Sequence, residues 1–264
     1  CVVEIEGARV MAASCVREAE EGMVVRTASE KVERCRAMLT ELLLSEQPGR
    51  SPKDATVGGD QLWALQERYG VQVRLPRGNG RADDLSSPAI AVHHQACILC
   101  DRCIRACDDI QNNDVIGRTG KGYDARISFD LDNLMGKSTC VTCGECVQAC
   151  PTGALLNKPI STELKPRDEL TQVASVCPYC GVGCAVTYHV DEEANRVAFV
   201  EGRDSPGNEG RLCVKGRYGT DYAVHPHRLT KPLIRRKEAY PKGPLSAEVR
   251  TYDAKGRRPG GAVA

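Results

Sequence analysis

The strongest constraint on this 264-residue chain is a repeated pattern of cysteines. Residues 97–107 read CILCDRCIRAC, and residues 140–150 read CVTCGECVQAC. Both follow the spacing C-x2-C-x2-C-x3-C, with alanine directly before the fourth cysteine. Two copies of one pattern predict a pseudo-symmetric pair of sites. Cysteines this closely spaced are typical of metal sites, whereas disulfide frameworks belong to short secreted chains.

The spacing within each run indicates iron–sulfur clusters. Followed in its second copy by Pro151, it is the run of bacterial two-cluster ferredoxins, in which the fourth cysteine ligates the other cluster. We predict a [4Fe–4S] cluster on the first set: Cys97, Cys100, Cys103 and Cys150. We predict another on the second set: Cys140, Cys143, Cys146 and Cys107. Paired zinc sites are the alternative, although they use C-x2-C doublets.

A third group of cysteines lies further along the chain, where residues 177–184 read CPYCGVGC and the segment CVKG begins at residue 213. We predict a third [4Fe–4S] cluster on the third set: Cys177, Cys180, Cys184 and Cys213. Gly181 and Gly183 leave room for backbone N–H groups to approach the sulfurs, and such hydrogen bonds tune the reduction potential. A structural zinc knuckle is the alternative for this set.

Composition excludes several other classes of protein. Aromatic residues make up only 4% of the chain, so a single large aromatic core is not expected and metal sites must help to hold the fold. The formal net charge of +1 gives no basic footprint for nucleic acid. No apolar run approaches the ~20 residues that span a bilayer. Metal-binding thiols indicate a reducing compartment, and we expect a cytoplasmic protein.

Local patterns predict an α+β chain. Residues 2–6 alternate as a strand, and Thr27 with Glu30 forms a capping box that opens a helix. The apolar face of that helix is predicted to comprise Val32, Cys35, Leu39, Leu42 and Leu43. Further elements are predicted as a helix at 62–69 ended by Gly70, and strands at 182–190 and 196–200.

The third set carries a specific resemblance to a known family. Residues 177–184, Cys213 and the following Lys215-Gly216-Arg217 resemble the N-terminal cluster domain of molybdenum- or tungsten-bis-pterin oxidoreductases. With the upstream ferredoxin runs and the segment 225–235, nearly the whole chain resembles the catalytic subunit of cytoplasmic, NAD-linked formate dehydrogenases. That resemblance implies formate oxidation to CO2 at a Mo- or W-bis-molybdopterin guanine dinucleotide. Electrons would leave through the clusters to flavin/NAD-binding and small iron–sulfur subunits.

The resemblance also implies roles for three further residues. Lys215 would lie between the third cluster and the pterin, on the electron path; an ordinary surface lysine is the alternative. Cys1 and Cys15 match the last two ligands of the family's plant-type [2Fe–2S] domain, whose first two ligands would lie upstream of residue 1. Two ordinary buried thiols are the alternative. The active-site Cys or selenocysteine would lie beyond residue 264, so no catalytic residue is predicted in this sequence.

One departure from the family's pattern concerns a further cluster. Many relatives carry it between the [2Fe–2S] domain and the ferredoxin pair, bound by one His and three Cys. Residues 36–96 of this chain contain no cysteine, so we expect that cluster to be absent. His93 and His94 are then predicted to be linker or packing residues, and Cys35 a core residue.

The expected organisation is a multi-domain iron–sulfur protein. Its predicted parts are a partial [2Fe–2S] ferredoxin-like domain with a helix at 1–45, a helix and linker at 46–89, a two-[4Fe–4S] bacterial ferredoxin-like domain at 90–160, a small β-rich [4Fe–4S] domain of the bis-pterin oxidoreductase type at 171–235, and the start of the pterin-binding region or a tail at 236–264. Alternatives are another bis-pterin enzyme such as a nitrate reductase, the large iron–sulfur subunit of complex I, and a stand-alone polyferredoxin. An [FeFe]-hydrogenase would share the front half of the chain but not the third set.

Overall fold

Three short strands form the first sheet of the structure, a computed structural model that describes residues 2–49, 51–74, 78–158 and 165–234. The strand β1 (Val2–Ile5) pairs antiparallel with β2 (Ala12–Ala13) on one side and with β3 (Val25–Arg26) on the other. The predicted strand at 2–6 is therefore confirmed. Cys1, one of the two predicted [2Fe–2S] ligands, lies outside the described residues.

The first helix, α1 (Glu30–Ser45), begins one residue after its cap. The hydroxyl oxygen of Ser29 accepts a hydrogen bond from the backbone N–H of Val32 at 3.3 Å. The capping box predicted at Thr27 and Glu30 is therefore wrong. Ser29 lies three residues before Val32, which is the spacing an N-cap needs to satisfy an orphan amide of the first turn.

The buried face of α1 also differs from the prediction. The buried residues are Val32, Thr40 and Leu44, which follow each other at four- or eight-residue spacing, while Leu39 and Leu42 are exposed. Thr40 can occupy this stripe because its hydroxyl donates to the carbonyl of Arg36. A polar residue at the centre of the buried face shifts the stripe away from the leucines that hydrophobicity favours.

A hydrogen-bonded loop and a second helix follow. Asp60 caps α2 (Gln61–Tyr69), because one of its carboxylate oxygens accepts from the amides of Leu62 and Trp63. Its other oxygen accepts from the hydroxyl of Ser51 at 2.6 Å. The helix ends at Gly70, whose φ of 59° lies in the left-handed region. The prediction of a short helix stopped by Gly70 is confirmed.

The central region is built from two hairpin-like strand pairs and two very short helices. β4 (Ile90–Val92) pairs with β7 (Leu155–Asn157), and β5 (Ile116–Thr119) pairs with β6 (Arg126–Phe129), both antiparallel. The helices are α3 (Arg102–Arg105), which continues as a π-helical turn over Ala106–Ile110, and α4 (Glu145–Ala149). Apolar side chains and cysteines share the core of this region: Ile90, Ile127, Phe129, Met135, Leu155, Cys97, Cys103, Cys107, Cys146 and Cys150.

A three-stranded antiparallel sheet carries the third set. Its order is β10-β9-β8, made from β8 (Thr171–Val176), β9 (Ala185–Asp191) and β10 (Arg196–Gly202). The strands predicted at 182–190 and 196–200 are confirmed, with a start three residues later for the first. Val186 and Val200 pack on Leu212, which leads into the last helix, α5 (Val214–Tyr218).

Single 3-10 turns complete the secondary structure: His94–Ala96, Gly122–Asp124, Met135–Lys137, Arg167–Glu169 and Asp221–Ala223. Nowhere in the described ranges is a helix long and apolar enough to cross a bilayer. A second compact unit begins at His225. Within it the rings of His225 and His227 meet edge to face at 5.4 Å. Arg235 and the predicted part at 236–264 lie outside the described residues.

Candidate metal centres

The first set forms around the loop that leads into α3. The thiols of Cys97 and Cys103 are buried and that of Cys100 is exposed. Burial raises the pKa of Cys97 to about 11, and the charges of Cys150 and Cys100 add to that effect. Burial also raises the pKa of Cys103, again with contributions from Cys150, Cys97 and Cys100. The charge of Cys150 therefore contributes to the raised pKa of three of the four thiols of the first run, namely Cys97, Cys100 and Cys103, although Cys150 lies in the second run.

The second set mirrors this arrangement. Burial raises the pKa of Cys140 and of Cys143, and Cys107 contributes to both. Cys146 lies in α4, and burial raises its pKa well above the ordinary value, with Cys103 as the strongest of the neighbouring thiols. The charge of Cys107, from the first run, thus contributes to the raised pKa of thiols in the second set. Because Cys103 acts on Cys146, the two sets adjoin each other.

The two copies of the repeat share an unusual backbone. Leu99 and Asp101 have φ values of 54° and 61°, and the equivalent Thr142 and Gly144 have φ values of 56° and 76°. Left-handed conformations are uncommon for residues other than glycine. Their recurrence at matching positions shows that each C-x2-C-x2-C run winds as the same tight loop, which turns successive cysteines inward.

The third set lies at one end of the β8–β9 hairpin. Cys177 follows β8 and Cys184 precedes β9, and the amide of Cys177 donates to the carbonyl of Cys184 at 2.9 Å. Cys213 is the first residue before α5. Burial raises the pKa of Cys184, and the charges of Cys177, Cys180 and Cys213 raise it further. This set is more open than the first two, because both Cys180 and Cys213 are exposed, whereas Cys100 is the one exposed cysteine of the first two sets.

Lys215 is exposed on α5, two residues after Cys213. Cys15 is exposed two residues beyond Ala13, which pairs with Val2. Cys35, predicted as a core residue, is only half-buried in α1. These placements leave the predicted roles of Lys215 and Cys15 untested.

The two neighbouring histidines differ in their surroundings. The ring of His93 contacts a carboxylate oxygen of Asp83 at 2.8 Å. His94 is only 6% exposed, and burial lowers its pKa. Burial suits the packing role that the sequence predicted for His94.

A single-ion site and a cluster need different spacings of the thiols. Across the described ranges, no three His, Cys, Asp or Glu side chains are grouped as a single metal ion would need. In a zinc site the Zn–S distances are ~2.3 Å. In a [4Fe–4S] cluster each of four thiolates binds a different iron, so the sulfurs lie further apart. The fourteen described cysteines also form no disulfide, which leaves all these thiols available.

Three buried or half-buried cations contact carbonyls of the cysteines. Lys53 donates to the Cys150 carbonyl at 2.9 Å, and Arg81 donates to the Cys97 carbonyl at 3.1 Å. The third cation, Arg217, donates to the Cys143 carbonyl at 3.0 Å. The net charge around an iron–sulfur cluster helps to set its potential. Sequence reasoning missed these cations, because they lie 16 to 97 residues from the cysteines they contact.

Two protein-family models match parts of this chain. The family model described as NADH-quinone oxidoreductase subunit 3, ferredoxin-like domain, matches residues 87–156. The model described as molybdopterin oxidoreductase Fe4S4 domain matches residues 170–225. Two regions of the chain are therefore similar to iron–sulfur domains, one ferredoxin-like and one of the molybdopterin oxidoreductase type.

Relatives and a solved structure extend the similarity. A subunit of an NADH-quinone oxidoreductase of Rhizobium meliloti is 33% identical over 89% of this chain and 28% of its own length. A Staphylococcus aureus protein named as a formate dehydrogenase is 26% identical over 89% of this chain and 28% of its own length. A crystal structure of an NAD+-reducing [NiFe]-hydrogenase matches with a TM-score of 0.52 and 29% identity, over 60% of this chain and 68% of that one. The chain thus spans about 28% of the length of the curated relatives.

Proposed function

We propose that this chain is the electron-transfer part of an NAD(P)-linked oxidoreductase subunit of the bis-pterin type. Each of the three cysteine sets would hold one [4Fe–4S] cluster. The observation that carries the proposal is the grouping of thiols: Cys97, Cys103 and Cys107 of the first run pack in one core with Cys146 and Cys150 of the second, although more than thirty residues separate the runs. Both family matches fall on iron–sulfur domains.

The residues of this chain would bind the clusters, shield them and tune them. A cluster on such a set accepts and donates one electron at a time. Apolar side chains such as Phe129 and Ile127 exclude water around the first two sets. Lys53 and Arg81 bring positive charge to the backbone of the first set, which favours the reduced, more negative state.

For the complete protein, our leading proposal is formate dehydrogenase. Formate would be oxidised to CO2 at a Mo- or W-bis-pterin site outside this chain, and Lys215 would lie on the electron path to it. Cys1 and Cys15 would supply two of the four ligands of a [2Fe–2S] cluster that faces flavin/NAD-binding and small iron–sulfur subunits in the cytoplasm. The resemblance around residues 177–217 and the S. aureus relative support this proposal.

The second candidate is an iron–sulfur subunit of the complex I type. It is favoured by one observation: the R. meliloti relative is 33% identical, against 26% for the formate dehydrogenase relative, over the same share of this chain. Both candidates use the cysteine sets in the same way. They differ in the domains that follow and in the electron donor.

The cluster assignment is tested by iron content. The chain, reconstituted anaerobically, is expected to bind about twelve irons, four for each set of four thiolates. Cys143→Ser is expected to remove one ferredoxin-like cluster and to leave the electron paramagnetic resonance (EPR) signal of the third set intact. Cys180→Ser is the matched variant, expected to remove only the third signal. About eight irons in the wild type, or zinc in the third set, would overturn the assignment.

The choice between the two candidates needs the complete subunit with its partners, purified without oxygen. If it is a formate dehydrogenase, formate bleaches the cluster absorbance, and molybdenum or tungsten is found at about one per chain. If NADH bleaches the clusters, formate does not, and neither metal is present, the complex I type is correct and the formate proposal is rejected.

A further inference from the structure

The third set is joined to the ferredoxin-like pair by one side chain. Arg217 lies in α5, four residues after Cys213, and its backbone N–H donates to the carbonyl of Cys213 at 3.1 Å. At the other end its Nε donates to the carbonyl of Cys143 at 3.0 Å. One residue thus connects a cysteine of the third set to a cysteine of the second set through two hydrogen bonds.

The guanidinium is fully enclosed by partners from α4. Its Nη2 donates to Gln148 Oε1 at 2.9 Å and lies 3.3 Å from Glu145 Oε2. The side chains of Arg217 and Glu145 are 2% and 6% exposed, respectively. A buried ion pair is costly unless its hydrogen bonds are satisfied. Here the guanidinium of Arg217 donates to Cys143, Glu145 and Gln148, so the buried pair has the hydrogen bonds that it needs. Such a constrained side chain can fix the position of the groups around it.

The contact is reciprocal. Gln148 Nε2 donates back to the carbonyl of Gly210 at 2.9 Å, on the segment that leads to α5. Tyr218 adds a third connection, because its hydroxyl donates to Asn157 Oδ1 at 2.7 Å. The segment from Gly210 to Tyr218 is therefore held at three places: the Cys143 carbonyl of the second set, Gln148 of α4 and Asn157 of β7.

A glycine in the second run makes this clamp possible. A Cβ at Gly144 would overlap the Arg217 side chain and the hydroxyl of Tyr218. The equivalent position in the first run is Asp101, which instead pairs with Arg118. Only the second copy of the repeat is shaped to receive α5, so the third set faces the second set rather than the first.

We propose that Arg217 is a positioning residue that fixes the Cys143 loop against the Cys213 end of the third set, making the second set the one that exchanges electrons with the third. This inference rests on the proposed function, since it requires a [4Fe–4S] cluster on each set. In each exchange one electron leaves the cluster of one set, which is oxidised, and reduces the cluster of the other. No proton or bond change accompanies it.

The test compares Arg217→Gln with Arg211→Gln in the full chain loaded with iron and sulfide. Arg211 lies on the same segment, is exposed and pairs with Glu209 rather than with Cys143. Arg211→Gln therefore removes the same positive charge without removing the hydrogen bond to the Cys143 carbonyl. In the fully reduced wild type and in Arg211→Gln, we expect magnetic coupling between the EPR signals of the second and third sets. Arg217→Gln is expected to lose that coupling while retaining about twelve irons. Retained coupling in Arg217→Gln would overturn the proposal.

A second variant covers the case in which Arg217→Gln fails to fold, because Glu145 would then be buried without its partner. Arg217→Met with Glu145→Met replaces the ion pair by apolar side chains of similar length, a change that proteins often tolerate. It is expected to fold, to bind iron, and to lose the coupling. If the coupling persists in the double variant, any packed side chain suffices and Arg217 is not the positioning residue.

Hydrogen exchange on the iron-loaded chain separates this proposal from the cluster assignment. The amides of residues 143–148 are expected to exchange faster in Arg217→Gln than in Arg211→Gln when the two variants have equal iron content. Unchanged exchange rejects the positioning role even if the iron count is about twelve. An iron count well below twelve in the wild type rejects the proposed function, whatever the exchange rates show.

Discussion

The first two cysteine sets and the third set differ in how many of their cysteines are buried in an apolar core, since only Cys177 of the third set is buried in one, with Val186, Val200 and Leu212. Five cysteines of the first two sets belong to the apolar core of the central region, together with Phe129 and Met135. The third set lies at the end of a sheet that is closed by its own backbone hydrogen bonds, and Cys180 and Cys213 are exposed. In the central region the metal would be part of the core, whereas at the third set it would be held by a preformed hairpin. Four predictions test this difference.

Removal of iron is expected to have the largest effect. Chelation under reducing, anaerobic conditions should abolish the hydrogen-exchange protection of the central region, because metal binding and folding are coupled where the ligands form the core. The amides of β8, β9 and β10 should remain protected. Equal loss of protection in both regions would show that the third sheet also depends on its metal.

The chain's two phenylalanines, Phe129 and Phe199, provide a matched pair of core deletions. Phe129 is 1% exposed in the central core. Phe199 is 5% exposed in β10, where it stacks on His189 at 4.0 Å, and it also belongs to a small cluster with Leu156 of β7 that contains no cysteine. Each Phe→Ala change should cost ~3–5 kcal/mol of unfolding free energy in its own region. We expect Phe129→Ala to lower the iron content of the first two sets, and Phe199→Ala to leave it unchanged, as measured by denaturation and iron analysis. Iron loss from the central region in Phe199→Ala would show that the central region depends on the packing of the third sheet.

A smaller effect is expected at the cap of α2. Asp60→Ala removes the acceptor for two orphan amides of the helix and for the Ser51 hydroxyl, and should cost ~0.5–2 kcal/mol. The destabilisation should appear in the central region, because the loop before Asp60 carries Lys53, which donates to the Cys150 carbonyl. Asp60→Asn keeps the cap and is the control. Equal destabilisation by Asp60→Asn would point to the charge rather than the cap.

The smallest effect concerns the pH dependence of the third sheet. Burial opposes the ionisation of Glu201, but a hydrogen bond from His189 and the charge of Arg167 outweigh it and lower the pKa of Glu201 below its ordinary value of 4.5. A depressed carboxyl pKa adds stability that is present above pH 4.5 and is lost as the pH falls through the folded-state pKa. We expect a loss of about 1 kcal/mol or less, since such pairs are weak.

Thermal unfolding of the third sheet between pH 7 and pH 3 measures this effect. Glu201→Gln should flatten the profile of that sheet and leave the profile of the central region unchanged. An unaltered slope in the variant would show that other carboxyls control the acid sensitivity of the sheet.

The sequence predicted the features that depend on local spacing. The cysteine runs, the helix stopped by Gly70, and the strands around the turn at 192–195 all rest on residues close together in the chain. The cap of α1 was placed two residues too early, at Thr27 instead of Ser29, because two hydroxyl residues precede the helix and only geometry distinguishes them. The buried stripe of α1 was misplaced because Thr40 is buried through a hydrogen bond that hydrophobicity does not register.

Long-range partners could not be predicted in the same way. Nothing in the neighbourhood of Lys53 indicates a contact with Cys150, which lies 97 residues later. Arg217 was noted only as the end of a motif, although it links two sites. Gly144 is the residue from which the contact with Arg217 could have been predicted. The second run has glycine where the first has aspartate, and a glycine at such a position indicates a close approach by another part of the chain.

The proposed exchange of fourth cysteines between the two runs would have a consequence for the synthesis of the protein. The first set has three of its thiols by residue 103 but lacks Cys150, which emerges from the ribosome 47 residues later (150 − 103 = 47). At ~5–20 residues per second this interval is about 2–10 s. The second set would be completed at Cys146, so both proposed sets would close within four residues of each other. Delivery of iron to a nascent chain would then wait for the entire module, and its first thiols would stay unligated and open to oxidation for seconds.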